Sequence, residues 1–235
     1  MRSFVFDTGP IISIAMNNLL WLLEPLKKIS NGRFMITPLI QEELVQYPMQ
    51  RTKRYMFEAM QVLHYINNQT IDVVDEKSFE DMGLDLLTLA NKCFIASGHP
   101  MRLVHAAEMQ ALALAVMRDA DVFVVDERTT RMLVEDPDRL FSLLKHKYHF
   151  KIEMDKKSVR QFQQLTKDVR IIRSVELVTV AYELGLLDEY TPPIKDGRKT
   201  LLEGLLWGVK LDGCAVSKRE VEQIMRMEMQ REKKG

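Results

Sequence analysis

Two apolar runs in this chain stop abruptly on an aspartate. "SFVFDTG" sets Asp7 behind Phe4, Val5 and Phe6, and "DVFVVDER" sets Asp126 behind residues 122–125. A carboxylate at the end of a buried strand, ahead of turn-prone residues, has two ordinary explanations. It caps the next helix, or it belongs to a charged site at the carboxyl edge of a parallel sheet, where open α/β folds bind ligands. Two further stretches bring acids to the start of a helix that follows a sheet crossover. "ITPLIQEEL" carries Glu42 and Glu43, and "HAAEMQALALAV" carries Glu108 in its first turn, where a carboxylate also suits the helix dipole. Taken singly, each acid reads as a cap or a solvated helix residue. Taken together, they recur at one edge. Carboxylates crowded there repel one another and do not all stay ionised. A divalent cation relieves that conflict, and an oxygen-only ligand set suits Mg²⁺ or Mn²⁺. His105 stands near Glu108, but metal-assisted chemistry needs no imidazole, and it reads as a helix-start residue.

To converge, these acids need strands alternating with helices. Strand-like runs fall at 3–6, 34–37, 71–74, 121–125 and 148–153. Helical patterns occupy 10–30, 39–47, 52–66, 78–96, 105–118, 127–145, 156–167 and 172–184. This alternation predicts an α/β fold with a parallel or mostly parallel sheet covered by helices. Two stretches exceed a minimal unit. One is the polar and aromatic helix at 48–70. The other follows "TPPIKDG" and spans about 190–235, with an apolar stripe of Leu201, Leu202, Leu205, Leu206 and Val209. Within it "SKRE" has the form of a capping box opening a last helix, whose apolar face is Val221, Ile224, Met225 and Met229. This tail either covers its own domain or forms a homodimer, and the dimer is the expectation. "ALALA" reads as close helix packing.

Lys plus Arg and Asp plus Glu are both 33 in 235 residues, so the formal net charge is zero. Overall charge therefore announces no nucleic-acid partner, although a local basic face would suffice. The two cysteines, Cys93 and Cys214, lack metal-like spacing and suit a reducing compartment. The apolar run at 10–23 is interrupted by Asn17 and Asn18 and is too short to span a bilayer, so it reads as a buried helix. The expectation is a cytoplasmic protein with no membrane segment.

The ordered pieces "FVFDTGPIISI", "ITPLIQEELV", "AAEMQALALAV" and "DVFVVDERTTR" resemble the PIN-domain nucleases, and the 18 residues from Glu108 to Asp126 fit one helix plus one strand. "IRSVELVTVAYELGLL" is similar to the family's closing helix, with Gly185 as its C-cap. The resemblance covers most of residues 1–190, with residues 191–235 as a helical extension. It implies a three-layer PIN-like fold with a mostly parallel central sheet, and it places the family's acids on Asp7, Glu43, Glu108 and Asp126. Glu43 is chosen over Glu42 because it precedes Leu44. Thr8 falls on the small hydroxyl position after the first acid. Many relatives carry a second acid where this chain has Gln110, and Glu127 beside Asp126 points to solvent.

The implied activity is hydrolysis of RNA phosphodiester bonds by an endoribonuclease using one or two Mg²⁺ or Mn²⁺ ions, as the toxin of a toxin–antitoxin pair or as an RNA-processing enzyme. The implied partners are single-stranded or structured RNA and an antitoxin protein. There are two alternatives: a PIN-like scaffold that binds RNA or protein without cutting, for which Gln110 leaves room, and an unrelated α/β protein in which the acids are only caps. Cations for the substrate are Arg128 and Arg131, which must lie near the acidic edge, with Arg51, Lys53, Arg54, Lys156, Lys157 and Arg160 as further clusters. Tyr47 and Tyr55 either pack as a lid or stack on unpaired bases.

Overall fold

The computed structural model describes residues 1–232. Along them run eight strands: β1 (Arg2–Phe6), β2 (Gly32–Ile36), β3 (Asp72–Val73), β4 (Phe94–Ala96), β5 (His99–Pro100), β6 (Val122–Val124), β7 (Ile152–Met154) and β8 (Ile171–Ile172). The α-helices are α1 (Thr8–Met16), α2 (Leu23–Ser30), α3 (Pro38–Gln41), α4 (Met56–Asn67), α5 (Lys77–Ala90), α6 (Ala106–Met117), α7 (Arg128–Glu135), α8 (Pro137–Lys147), α9 (Lys156–Thr166), α10 (Ser174–Glu183), α11 (Gly197–Leu211) and α12 (Lys218–Glu232).

Five strands make one sheet in the order β3-β2-β1-β6-β8, every pair parallel. β1 lies at its centre, and the edges of Phe4 and Phe6 pack against Phe34 of β2 at ring-centroid distances of 5.2 Å each. From β1 the chain winds outward through β2 and β3 on one side, and from β6 it winds outward through β8 on the other. The switch in direction lies between β1 and β6, and in such sheets the crevice beyond the carboxyl ends of those strands is where ligands bind. The register pairs Phe6 with Val124, which sets Asp7 opposite Val125 and Asp126 one residue further along, both just past that edge.

Helices pack in two groups, as a sheet covered on both faces requires. α1, α4, α10 and α11 pack among themselves, and α5 packs on α6 and α9, with α6 against β1. α6 is buried almost all round, including Ala111, Leu112, Ala113, Leu114 and Ala115. Small side chains let it lie close to its neighbours. A Cβ on Gly83 of α5 would lie 3.0 Å from the Gln110 Cα, so a larger residue there would push the two helices apart by a few tenths of an ångström.

Several boundaries differ from the sequence pattern for identifiable reasons. The run at 10–30 is not one helix: α1 stops at Asn17, Asn18 takes a left-handed φ of 55°, and a short 3₁₀ turn leads into α2. The run at 39–47 holds one turn of α3, and Glu42–Gln46 then continues as π-helix. The run at 78–96 ends at Ala90, and its last residues form β4, which pairs antiparallel with β7 and β5 in a separate small sheet. The strand read at 148–153 therefore contributes only Ile152–Met154, and to that second sheet. The run at 127–145 is two helices, because Asp136 leaves helical geometry ahead of Pro137 and caps α8 through the Arg139 amide. The helix read at 172–184 begins only at Ser174, and Ile171–Ile172 form the edge strand β8.

The tail folds back onto its own chain. Leu202, Leu206 and Val209 of α11 are buried, and the helix lies on α10 and α1. The stripe that argued for a dimer is thus largely consumed within the chain. The capping box forms as read, with the Ser217 amide donating to Glu220 Oε2 at 2.8 Å and the Glu220 amide donating to Ser217 Oγ at 3.2 Å. Gly185, at φ 71°, ends α10 as expected. No helix among the described residues is long and apolar enough to cross a membrane. Cys93 and Cys214 are free and buried, and burial pushes both thiols up to about 12.

Candidate functional site at the carboxyl edge

Asp7 sits where β1 gives way to α1, with its amide held by the Val124 carbonyl at 2.9 Å. It occupies the N-cap position with extended backbone angles, yet its side chain makes no capping hydrogen bond. Only 5% of the residue is exposed. Burial, then the Glu108 carboxylate, push its pKa up to about 8; Glu43 adds to the rise, while the Thr8 and Gly9 amides pull the other way. Those two amides belong to the first turn of α1, so Asp7 keeps a weak helix-start interaction that burial and the neighbouring acids outweigh. Asp7 faces other acids across a desolvated edge.

Glu43 stands on the π-wound turn after β2 and accepts a hydrogen bond from Thr8 Oγ1 at 2.5 Å. Thr8 thereby links the first helix of the fold to the second acid. Glu42 is exposed. Glu108 is half-buried in the first turn of α6 and accepts from Thr130 Oγ1 of α7 at 2.6 Å. Its pKa is raised, chiefly by burial and further by Glu127, against the lowering influence of Thr130 and His105. His105 is the N-cap residue of α6, a helix-start position as the sequence implied.

Asp126 differs from Asp7 in kind. It is 2% exposed, and both of its carboxylate oxygens are engaged. Oδ1 accepts from the Ser174 amide at 2.7 Å, and Oδ2 accepts from Ser13 Oγ and Ser174 Oγ, each at 2.7 Å. Asp126 therefore ties β6 to α1 and to the N-terminus of α10. The cap of α7 is its neighbour Glu127, which accepts from the Thr129 amide at 3.2 Å. The Asp126 carbonyl also holds the Ala215 amide at 3.2 Å, so the loop between α11 and α12 docks on the same edge. Ser13, Thr130 and Ser174 escaped the sequence reading. For Ser13 the signal is a lone hydroxyl inside the apolar run "IISIA".

Gly9 lies between the two aspartates, where a Cβ would meet the Asp126 Cβ at 3.4 Å and Asp7 Oδ2 at 3.8 Å. Arg128 is exposed at the start of α7, and Arg131 pairs with Glu135 at 3.4 Å. Lys156, Lys157 and Arg160 lie on the solvent face of α9. Gln110 is 6% exposed, and its Oε1 has no hydrogen-bond partner.

Asp7, Glu43 and Glu108 thus lie at one edge, where Glu108 and Glu43 raise the cost of charging Asp7, and their donors are all oxygen. That chemistry fits a hard divalent cation. Among the described residues no three acidic, His or Cys side chains stand close enough to hold one as they are placed, because Glu43 is turned to Thr8 and Glu108 to Thr130. No protein-family model, no curated protein and no solved structure matches the chain.

Proposed function

We propose that this chain is a metal-dependent endoribonuclease of PIN-like fold, hydrolysing RNA phosphodiester bonds at the carboxyl edge between β1 and β6. The observation that carries the reading is Asp7: a carboxyl buried just past the end of β1, whose charge is opposed by that burial and by Glu108 and Glu43 more than the first-turn amides of α1 favour it. An edge built this way gains from positive charge, and the ordered acids Asp7, Glu43, Glu108 and Asp126 resemble the set that PIN nucleases use.

Asp7, Glu43 and Glu108 would hold Mg²⁺ or Mn²⁺, with Glu43 and Glu108 turning from their threonine partners. The cation, when bound, supplies Lewis-acid activation of water and neutralises charge on the phosphate. The chain's own residues do the rest. Thr8 and Thr130 hold Glu43 and Glu108 at the rim. Asp126, with all its acceptor bonds spoken for, keeps β6, α1 and α10 in register so that Asp7 and Glu108 face each other. Arg128 and Arg131 border the Asp126 end of the edge and offer positive charge to an incoming phosphate.

A non-cleaving scaffold that binds RNA or protein is the second reading, favoured by the separation of the acids as placed and by neutral Gln110 in α6. Cleavage of single-stranded RNA separates the two. The nuclease reading expects hydrolysis in Mg²⁺ or Mn²⁺ that stops in EDTA and in Asp7→Asn. RNA bound but left intact by clean protein in saturating Mn²⁺ would establish the scaffold.

A further inference from the structure

Beside the acidic edge lies a cavity of about 380 Å³ between α1, α4 and the π-wound segment, within the size range of small-ligand sites. Its walls are apolar, formed by Ile11, Ile12, Ala15, Leu44 and Val62, and Thr8 and Glu43 line it where it meets the edge. Tyr47, Arg54, Tyr55 and the carboxylate-bearing Glu58 line it as well. We propose that this cavity is a base-binding subsite, seating one unpaired nucleobase of single-stranded RNA next to the carboxylates. The assignment rests on the nuclease reading above and extends it to how substrate is held.

Four features point to a nucleobase. First, the aromatic rings reach solvent in part: Tyr47 is 50% exposed and Tyr55 37% exposed, each with a guanidinium over one face that a base would stack opposite or displace. Stacking on such faces is how proteins grip single strands without regard to sequence. Second, the rim is basic. In the exposed run "RTKR" Arg54 lines the cavity and Arg51 and Lys53 neighbour it in the chain, and none of the three pairs with a carboxylate among the described residues. Instead the Arg51 guanidinium lies 5.9 Å from the Tyr47 ring centroid and that of Arg54 lies 4.7 Å from that of Tyr55. Cations outside and an apolar interior suit a ligand whose phosphates stay at the rim while its ring enters. Third, the backbone is held in costly geometry here: Lys53 and Tyr55 adopt left-handed φ values of 55° and 62°, and both Glu42–Gln46 and Pro48–Thr52 are π-wound. Such geometry gathers at ligand sites. Fourth, the cavity is continuous with the edge. A second cleft, lined by Leu39, Glu42, Glu43, Tyr47, Ala106 and Ala107, opens on the other side of the same turn, so Glu43 and Tyr47 border both. A strand following these clefts runs past the acids.

The test uses the full chain in EDTA, so that the RNA stays intact. Fluorescence anisotropy compares a short single-stranded oligoribonucleotide with the same strand carrying abasic riboses. The wild type should bind the intact strand about 5- to 150-fold more tightly, the range expected for stacking a base. The double variant Tyr47→Ala/Tyr55→Asn should lose that difference with unchanged thermal unfolding, asparagine being chosen because it tolerates the left-handed backbone at position 55. Tyr47→Phe should retain it. Equal or absent binding of the two strands by the wild type, or discrimination that survives in the double variant, overturns the proposal. A cleavage assay in Mn²⁺ keeps the two readings apart. Base discrimination without hydrolysis sinks the nuclease reading alone, and hydrolysis without base discrimination sinks the subsite alone.

Discussion

Asp7 and Asp126 end neighbouring strands in the same way, yet their surroundings give them opposite energetics. Asp7 is held up to about 8 by burial, Glu108 and Glu43, so the folded protein binds a proton there that the unfolded chain releases near 3.8. Between those values the folded state carries the extra proton, and the metal-free protein loses stability as pH rises, levelling off above about 8. Asp7→Asn should remove that slope. In thermal unfolding without metal the variant should match the wild type near pH 4 and exceed it at pH 8, by on the order of 1.4 kcal/mol for each unit of raised pKa. A variant less stable than wild type at pH 8 would mean that the carboxylate is wanted as a charge. Asp126 should respond oppositely. Asparagine offers one acceptor oxygen where three donors converge from Ser13 and Ser174, so Asp126→Asn should cost about 1–3 kcal/mol in denaturant unfolding at neutral pH. A neutral result would remove its positioning role. The sequence alone does not separate these aspartates, because the partners of Asp126 lie 113 and 48 residues away in the chain.

Among the elements, the strands carrying the acids were legible because β1 and β6 are apolar on both faces, and α6 because its Ala-rich run fits close packing. The short strands β4, β5 and β8 were not, since two or three residues carry no period, and β4 continues an apolar helical pattern. The π-wound turn that presents Glu43 likewise leaves no trace in periodicity, because one extra residue per turn alters register without altering composition. Arg173 is another element-level feature that the pattern hides. It is 8% exposed in the turn before α10, pairs with Glu176, and reaches Glu220 of α12 at 2.9 Å. Hydrogen bonds from Ser217 and the Arg173 charge outweigh Glu220's partial burial and pull its pKa from 4.5 down to about 2. Its stabilising effect is therefore present above about 4.5 and lost as pH falls toward 2. Glu220→Gln should lower the melting temperature at pH 7, and the gap to wild type should close across that acidic window. A gap that persists at pH 2 would show that the glutamate acts by packing.

At the scale of the whole molecule, the fold brings to one crevice acids that are scattered over residues 7 to 126, and a switch in winding direction between β1 and β6 creates that crevice. α11 and α12 reinforce the edge from behind: the loop between them is held by the Asp126 carbonyl, and Asn17 Nδ2 donates to Asp212 Oδ2 at 2.9 Å. The tail thus has its work within the chain, and sedimentation at high micromolar concentration should show a monomer; a dimer that dissociates on deleting residues 217–235 would reverse this. The central claim is that Asp7, Glu43 and Glu108 form a cation site. Calorimetric titration of Mn²⁺ into wild type and Asp7→Asn at pH 7, each in two buffers of different ionisation enthalpy, tests it most directly. The account predicts saturable binding to wild type with release of a proton, since Asp7 is protonated before the cation arrives. Asp7→Asn should lose that binding. Equal Mn²⁺ binding by wild type and Asp7→Asn, or none by either, would contradict it.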